Sequence, residues 1–109
     1  MLIVITGLEL RSSLYKPIFL YHAVRSYSQA QAAQGNLHVD QRQINGVHHT
    51  VTAWDSAEAS AEYGRSAAHA GAVAVFSKIA IGRVYWGDHA EIPNWEDAHM
   101  LWAEHGKLV

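Results

Sequence analysis

An Asn-Gly pair between two alternating segments is the feature that most limits how this chain can fold. Residues 37–44 and 47–54 each alternate apolar and polar side chains, as a strand with one buried face does. Asn45 and Gly46 separate the two segments. This dipeptide favours the type I′ turn, because both central residues of that turn need positive φ. The sequence therefore predicts a β-hairpin over residues 37–54.

The segment before the hairpin predicts one strand and one helix. Residues 2–10 are almost continuously apolar, which is typical of a strand that is buried on both faces. A helix is predicted over residues 18–33, with Ser12 or Ser13 before it as a cap. Pro17 fits only the first turn of a helix, and Gly35 is placed as the helix terminator.

Three helical pieces and one short strand are predicted after the hairpin. Asp55 and Glu58 form a capping-box pattern that opens a helix to Tyr63. Ser66 caps a second piece that runs through residue 79, and residues 83–86 form a short strand after Gly82. Asn94 caps the last helix, which ends at Gly106 and carries four apolar residues at helical spacing: Trp95, Ala98, Leu101 and Trp102.

This order is βαββαβ with an extra C-terminal helix, which is the ferredoxin-like α+β arrangement with a four-stranded antiparallel sheet. Residues 1–109 are the length of one domain. Helices cover one face of such a sheet, and the other face also needs to be buried. Because only 17% of the residues are charged, we expect a second copy of the chain to cover that face in a homodimer.

Composition argues against several classes of function. The net charge is −2 with neutral histidines, so there is no basic surface for nucleic acid. The chain has no cysteine, which excludes disulfides and thiolate metal sites, and no local spacing of ligands predicts a metal site. Residues 1–5 are apolar but lack a basic leader, and no apolar run is long enough for membrane insertion. A cytoplasmic location is the expectation.

Short motifs in the middle of the chain resemble the dimeric α/β-barrel superfamily. They are residues 51–56 at the end of the hairpin and Ser66-x-x-His69 in the helix that follows. The superfamily includes antibiotic-biosynthesis monooxygenases, heme-degrading monooxygenases and stress-responsive barrel proteins. Spheroidene-monooxygenase-like and DUF3291-type members are the closer likeness, through His22-Ala23, residues 46–54 and residues 92–98. The resemblance implies a barrel closed across a two-fold axis, with a pocket between sheet and helices.

The resemblance does not extend to the heme-degrading mechanism. Members with that activity use an asparagine in the first strand, and residues 2–10 contain none. Tyr63 stands where those members have a tryptophan, and Val73 stands where they have the histidine that binds heme. Either no cofactor is required, or heme binds through one histidine of another position.

Two histidines are the catalytic candidates. His22 shares a helical face with Ser26 and Gln29, and His69 shares one with Val73 and Phe76. A neutral imidazole can act as a general base, because its ordinary pKa lies close to neutral pH. The alternative for each is a structural histidine that is buried and hydrogen-bonded, or, for His22, a solvent-facing position.

Further residues are candidates for the lining of a pocket. They sit on the same helical faces or at the ends of predicted elements: Ser26, Trp54, Tyr63, Arg65, Phe76 and Trp86. His48 shares a strand face with Thr50, Thr52 and Trp54, a polar set that suits a cavity, whereas His49 faces the opposite side. Packing at a dimer interface is the alternative for both strand histidines.

Two functions follow from these patterns. The first is a monooxygenase-like enzyme that acts on a small apolar or aromatic molecule. The second is a non-catalytic dimeric module that binds a ligand or serves a stress response. The sequence does not decide between them, because the same fold supports both.

Overall fold

The structure is a computed structural model that describes the backbone of residues 1–109 and all side chains except those of Ala67 and Ala68. A 3-10 turn, Ser13–Tyr15, precedes the first helix. The helices and strands, numbered in chain order, are β1 Leu2–Leu10, α1 Lys16–Ala32, β2 Asn36–Ile44, β3 Val47–Trp54, α2 Ala57–Arg65, α3 Ala67–Ile79, β4 Ala80–Asp88, α4 Trp95–His105 and β5 Lys107–Leu108.

The predicted hairpin is confirmed as β2 and β3. The two strands pair antiparallel up to Ile44 and Val47, which flank the turn. Asn45 and Gly46 have φ values of 51° and 80°, as the two central positions of a type I′ turn require. This turn fixes the register of the hairpin, so it also fixes which side chains of β3 share a face.

The sheet is antiparallel with the strand order β2-β3-β1-β4-β5. It contains the four predicted strands and adds β5, which pairs with β4 at only two positions. β4 is also longer than the predicted strand, since it begins at Ala80 instead of residue 83. Gly82 does not end an element here: it pairs with Leu8, and its missing side chain leaves room for a methyl carbon of Leu8.

Side-chain caps begin the later helices, with one change from the predicted position. Ser56, and not Asp55, caps α2, because its Oγ accepts a hydrogen bond from the Ala59 amide at 3.1 Å. Asp55 lies in the preceding link, where its own amide donates to the Gly35 carbonyl at 2.9 Å. The predicted caps of α3 and α4, Ser66 and Asn94, are confirmed.

α4 lies on the sheet face opposite α1, and this placement differs from the prediction that a second copy alone covers that face. Ile3 and Ile5 are fully buried there, with Val51 and Ala53 of β3 beside them. Ala98 and Trp102 of α4 pack directly on this set, which makes it the main hydrophobic core. The helical spacing of the apolar residues in α4 predicted a buried face but could not show which side of the sheet it covers.

Hydrogen bonds of buried rings attach α4 to three strands. Trp102 Nε1 donates to the Arg83 carbonyl at 2.9 Å, and Trp95 Nε1 donates to Asp40 Oδ2 at 3.0 Å. His49 contacts the Thr6 carbonyl through Nδ1 at 3.0 Å and His99 Nδ1 through Nε2 at 2.8 Å. Because a carbonyl only accepts, His49 Nδ1 carries the proton, and the neutral His49 ring accepts from His99.

Within the described residues, none of the helices combines the length and apolar character needed to cross a lipid bilayer.

Close packing of α4 on β1 gives a prediction about two glycines. A Cβ atom at Gly7 would lie 2.4 Å from the Trp102 ring, whereas a Cβ at Gly71 in α3 would meet nothing within 4 Å. We expect Gly7→Ala to lower the free energy of unfolding by about 1–3 kcal/mol through overpacking. Gly71→Ala, the matched control, should raise it by about 0.5–1 kcal/mol. Denaturant titration measures both, and an unchanged Gly7→Ala protein would contradict the packing described for Trp102.

Candidate functional site

A cavity of about 540 Å³ lies between the sheet and the helices α1–α3. Its floor on β3 consists of alternate residues, which all point away from α4: His48, Thr50, Thr52 and Trp54. Val4, Thr6 and Leu8 of β1 continue the floor. The polar strand face that the alternation predicted therefore forms one wall of the cavity. The volume of this cavity is in the range of pockets that bind small molecules.

The helices provide the opposite wall, which is mostly apolar. α1 contributes Phe19, Ala23 and Ser26, and α3 contributes His69, Val73 and Phe76. Phe19 packs on Phe76 with ring centroids 5.3 Å apart, which joins α1 to α3 at one end of the cavity. The core on this side of the sheet is small, so the helices and the sheet enclose space instead of filling it.

Three rings form a continuous stack at the other end of the cavity. The ring centroids of Trp54 and Tyr63 are 5.3 Å apart, and those of Tyr63 and His69 are 4.6 Å apart. Both pairs are tilted by less than 50°. Each ring comes from a different element, β3, α2 and α3. A stack of this kind offers aromatic faces and edges to a flat ligand.

The hydroxyl of Tyr63 is oriented by a backbone acceptor on α1. It donates a hydrogen bond to the Ser26 carbonyl at 2.9 Å. Burial raises the pKa of the Tyr63 phenol. The phenol therefore stays protonated near neutral pH. Since its proton points to Ser26, the lone pairs of its oxygen are free to accept a hydrogen bond from a ligand.

His69 has a buried ring nitrogen without a partner. Its Nδ1 makes no hydrogen bond to any described residue, and the same is true of the Ser26 hydroxyl and of Gln29 Oε1. Burial lowers the pKa of the His69 imidazole, so the ring is neutral at pH 7. The positive end of α3, where His69 lies in the first turn, acts in the same direction. Buried polar atoms usually have partners, so these atoms mark where a ligand can bind.

His48 lies at the far end of the floor from Trp54. The two positions are six residues apart on one strand, which corresponds to about 20 Å. Its ring packs against Phe19 at a centroid distance of 4.5 Å. Burial is the main cause that lowers the pKa of the His48 imidazole, and the charge of Lys16 adds to it. The cavity therefore has a neutral imidazole at each end.

No charged side chain among the described residues points into this cavity. Arg42 and Arg83 are in its lining, but they occupy strand positions that face α4. Their guanidinium groups lie 5.9 Å from the Trp95 ring centroid and 6.0 Å from that of Trp102, on the α4 side of the sheet. An uncharged ligand suits such a cavity, because an ion would lose its hydration without gaining a counter-ion.

The structure brings together five of the eight residues selected from the sequence. His69, Ser26, Trp54, Tyr63 and Phe76 all line the cavity. The remaining three do not. His22 sits edge-on to Phe76 with centroids 6.2 Å apart. Arg65 is exposed in the last turn of α2. Trp86 is 56% exposed and is not in the lining, although it pairs with Val4, which is.

Strand β2 supplies lining residues that were not predicted from the sequence. Val39 and Gln41 pair with Thr52 and Thr50, so they extend the same polar floor towards the sheet edge. The alternation of residues 37–44 already placed Val39 and Gln41 on the same face of the strand. The alternation cannot show that the face borders a cavity, because that depends on how far α1 stands from the sheet.

The described residues contain no cluster of three or more histidine, aspartate or glutamate side chains that can hold a metal ion. The histidines of this protein are distributed over both sheet faces. His48 and His69 border the cavity, whereas His49 and His99 pair on the α4 side.

Comparison with solved structures identifies the fold. An antibiotic biosynthesis monooxygenase superposes with a TM-score of 0.75 at 16% identity, over 84% of this chain and 100% of its own. A cofactor-independent oxygenase from Streptomyces nogalater superposes with a TM-score of 0.71 at 6% identity, over 85% and 97% of the two chains. This protein has the ferredoxin-like α+β fold.

Further comparisons show that the likeness to these oxygenases concerns the fold. A conserved protein of unknown function from Bacteroides thetaiotaomicron has a TM-score of 0.73 at 13% identity, over 81% of this chain and 96% of its own. No family profile matches the sequence, and no curated protein is similar to it. Because these identities are so low, the likeness concerns the fold, and the chemistry depends on the site itself.

The burial of three imidazoles leads us to predict how the free energy of unfolding depends on pH. Burial lowers the pKa of His48, His49 and His69 below the ordinary value of 6.5. The unfolded chain therefore binds more protons than the folded chain once the pH falls below 6.5. We expect the free energy of unfolding to decrease from pH 7.5 to pH 5, as denaturant titration at each pH will show.

His69→Asn should make this decrease smaller, because one of the groups that resist protonation is gone. His105→Gln is the matched control, since the His105 side chain is 63% exposed to water. A stability that rises as the pH falls through this window would contradict the burial described for these rings.

Proposed function

We propose that this protein is a monooxygenase-like enzyme that acts on a small, uncharged aromatic molecule bound between the sheet and α1–α3. The observation that carries the proposal is the Trp54–Tyr63–His69 stack, which ends in a buried imidazole nitrogen without a partner. The shared fold of an antibiotic biosynthesis monooxygenase and a cofactor-independent oxygenase supports the reaction class by analogy. A closer relation to DUF3291-type proteins and a cytoplasmic location stay predictions from the sequence.

Each residue of the stack has a role in this proposal. Trp54 is buried behind Tyr63 and holds the Tyr63 ring in place. Tyr63 accepts a hydrogen bond from a ligand hydroxyl, since its own proton is donated to Ser26. His69 removes a proton from the ligand as a general base, for which a neutral imidazole in a dry site is suited.

The oxidant in this proposal is molecular oxygen, and the ligand supplies the electrons. A ligand with an activated methylene group gives a carbonyl and water: one oxygen atom enters the product, and the other leaves as water with both methylene hydrogens. Four electrons pass from the ligand to oxygen, so the balance needs no external reductant. The role of His69 is to form the electron-rich anion of the ligand that reacts with oxygen.

Heme is the cofactor that the sequence left open, and the cavity does not suit it. His48 and His69 are candidate axial ligands. The two carboxylates of heme need cationic or hydrogen-bonding partners, and both arginines of the lining are on the α4 side of the sheet. The proposed reaction therefore uses no heme.

A homodimer belongs to the same proposal. Several apolar side chains on the α4 side of the molecule are exposed: Ile81 of β4 is 51% exposed, Ile92 38% and Met100 of α4 50%. Met100 lies on the outer face of α4, opposite the buried Ala98 and Trp102. A second copy placed on this side buries these residues around a two-fold axis.

The first prediction of this proposal concerns turnover. Incubation with a panel of uncharged two- and three-ring phenols that carry an activated methylene group should show oxygen uptake for at least one member, with one atom of ¹⁸O₂ in the product. His69→Asn should lower kcat by about 10²- to 10⁴-fold, which is the usual effect of losing a general base. Tyr63→Phe should lower kcat/KM, because the ligand hydroxyl loses its acceptor.

His105→Gln is again the control, since this surface histidine should leave kcat unchanged. Quenching of Trp54 fluorescence by a phenol, without oxygen uptake, would favour the non-catalytic ligand-binding module instead. Absence of both signals across the panel would reject the ligand class itself.

The second prediction concerns assembly. Sedimentation equilibrium at micromolar concentration should give twice the chain mass of 12.1 kDa. Met100→Glu should raise the dissociation constant of the dimer by about tenfold or more, because a charge then has to be buried at the interface. Gln31→Glu on α1 adds the same charge on the opposite side of the molecule and should leave the mass unchanged. A monomeric wild-type protein would refute the dimer.

A further inference from the structure

The 3-10 turn and the first half of α1 expose an unusual number of apolar side chains. Leu14 is 86% exposed, Tyr21 57% and Val24 62%. We call the whole exposed group the α1 patch, and it consists of Leu14, Tyr15, Ile18, Leu20, Tyr21 and Val24. Contiguous apolar surface of this kind generally marks an interaction site.

The α1 patch lies in a segment that carries only positive charge. Residues 10–39 contain Arg11, Lys16 and Arg25 and no aspartate or glutamate. The rest of the chain contains ten acidic and five basic residues. The net charge of −2 is therefore distributed unevenly, with an excess of positive charge in residues 10–39 and an excess of negative charge elsewhere. Arg25 also lies over the Tyr21 ring and donates a hydrogen bond to its hydroxyl at 3.0 Å. Arg25 therefore borders the apolar side chains of the patch directly.

The α1 patch continues into the cavity. Leu20 and Val24 belong to the patch and also line the cavity. Val73 of α3 does the same from the other side, since it lines the cavity and is 50% exposed. These three residues form an apolar rim, so an apolar molecule can pass from the patch into the cavity without crossing a polar surface.

We propose that the α1 patch binds the surface of an anionic lipid bilayer, and that apolar ligands enter the cavity from the lipid. A helix with an exposed apolar face can lie in the plane of a membrane with these side chains in the boundary of headgroups and acyl chains. Arg11, Lys16 and Arg25 then face the anionic headgroups, which attract basic segments. Tyrosines such as Tyr15 and Tyr21 suit this boundary, because they are apolar with a polar tip.

A second copy of the chain fits the α1 patch less well than a lipid surface does. Two patches that met around a two-fold axis would bring the three cations of each copy towards those of the other, with no acidic residue in the segment to offset them. The proposed dimer uses the α4 side, which leaves the α1 patch free. Binding to lipid does not depend on catalysis, and only the entry of ligand rests on the proposed function.

Vesicle co-sedimentation tests the binding of the full chain. We expect binding to phosphatidylcholine vesicles that contain phosphatidylglycerol, weaker binding to pure phosphatidylcholine, and a decrease at high salt. The triple variant Leu14→Gln, Ile18→Gln, Tyr21→Gln should bind about a hundredfold more weakly, because three apolar side chains leave the lipid. Lys16→Gln and Arg25→Gln should each weaken binding by about fivefold.

The matched control replaces three exposed apolar residues outside the patch and outside the proposed dimer interface, Leu37, Trp86 and Leu108, by glutamine. This control should bind anionic vesicles as the wild type does, and thermal melting should show that both triple variants fold. Equal binding of the two triple variants, or no binding of the wild type at low salt, would overturn the proposal. It would also be overturned if the patch variant lost dimer mass in sedimentation while keeping its affinity for vesicles.

Ligand entry has a separate readout. Turnover of a phenol that is presented in vesicles should fall in the patch variant, whereas turnover of the same phenol in detergent-free solution should not. An equal loss in both assays would contradict entry from the lipid. Because vesicle binding is measured without any phenol, failure of the proposed reaction and failure of lipid binding are distinguishable.

Discussion

The packing of α4 against the sheet is the interaction on which the rest of the structure depends. A chain of 109 residues can form only one well-filled core, and that core lies on the α4 side around Ile3, Ile5 and Trp102. Hydrogen bonds from Trp95, Trp102 and His99 attach the helix to β2, β4 and β3. Since stability is concentrated there, the opposite face can enclose a cavity of about 540 Å³.

The candidate site depends on the same difference between the filled face and the open face of the sheet. Alternation along β3 sends His49 to the filled side, where both of its ring nitrogens have partners, and sends His48 to the open side. The Tyr63 hydroxyl donates a hydrogen bond to the Ser26 carbonyl, whereas His69 Nδ1 has no partner among the residues that the structure describes. A buried polar atom without a partner is costly, so it is retained where a ligand can provide the partner. This contrast makes His69 the centre of the proposed chemistry.

Features that depend on local sequence could be predicted, and features that depend on distant contacts could not. The Asn45-Gly46 turn and the caps at Ser66 and Asn94 involve only neighbouring residues. The side of the sheet that α4 covers depends on contacts such as His49 with His99, which are 50 residues apart. The same limit applies to the site. Alternation predicted that Trp54 lies on a polar strand face, but it could not show that Trp86, on the same face of the sheet, stays outside the cavity lining.

The position of β1 in the sheet has a consequence for how the chain folds. β1 lies between β3 and β4, and Leu2 pairs with both Trp54 and Asp88. During synthesis β1 is therefore made before either of its partners, and it is fully paired only after β4 has been made. Contacts this distant in sequence slow folding, because the loop between them must close before they are formed. Until β4 is made, one edge of this almost continuously apolar strand stays unpaired, and such exposed apolar edges are what chaperones bind.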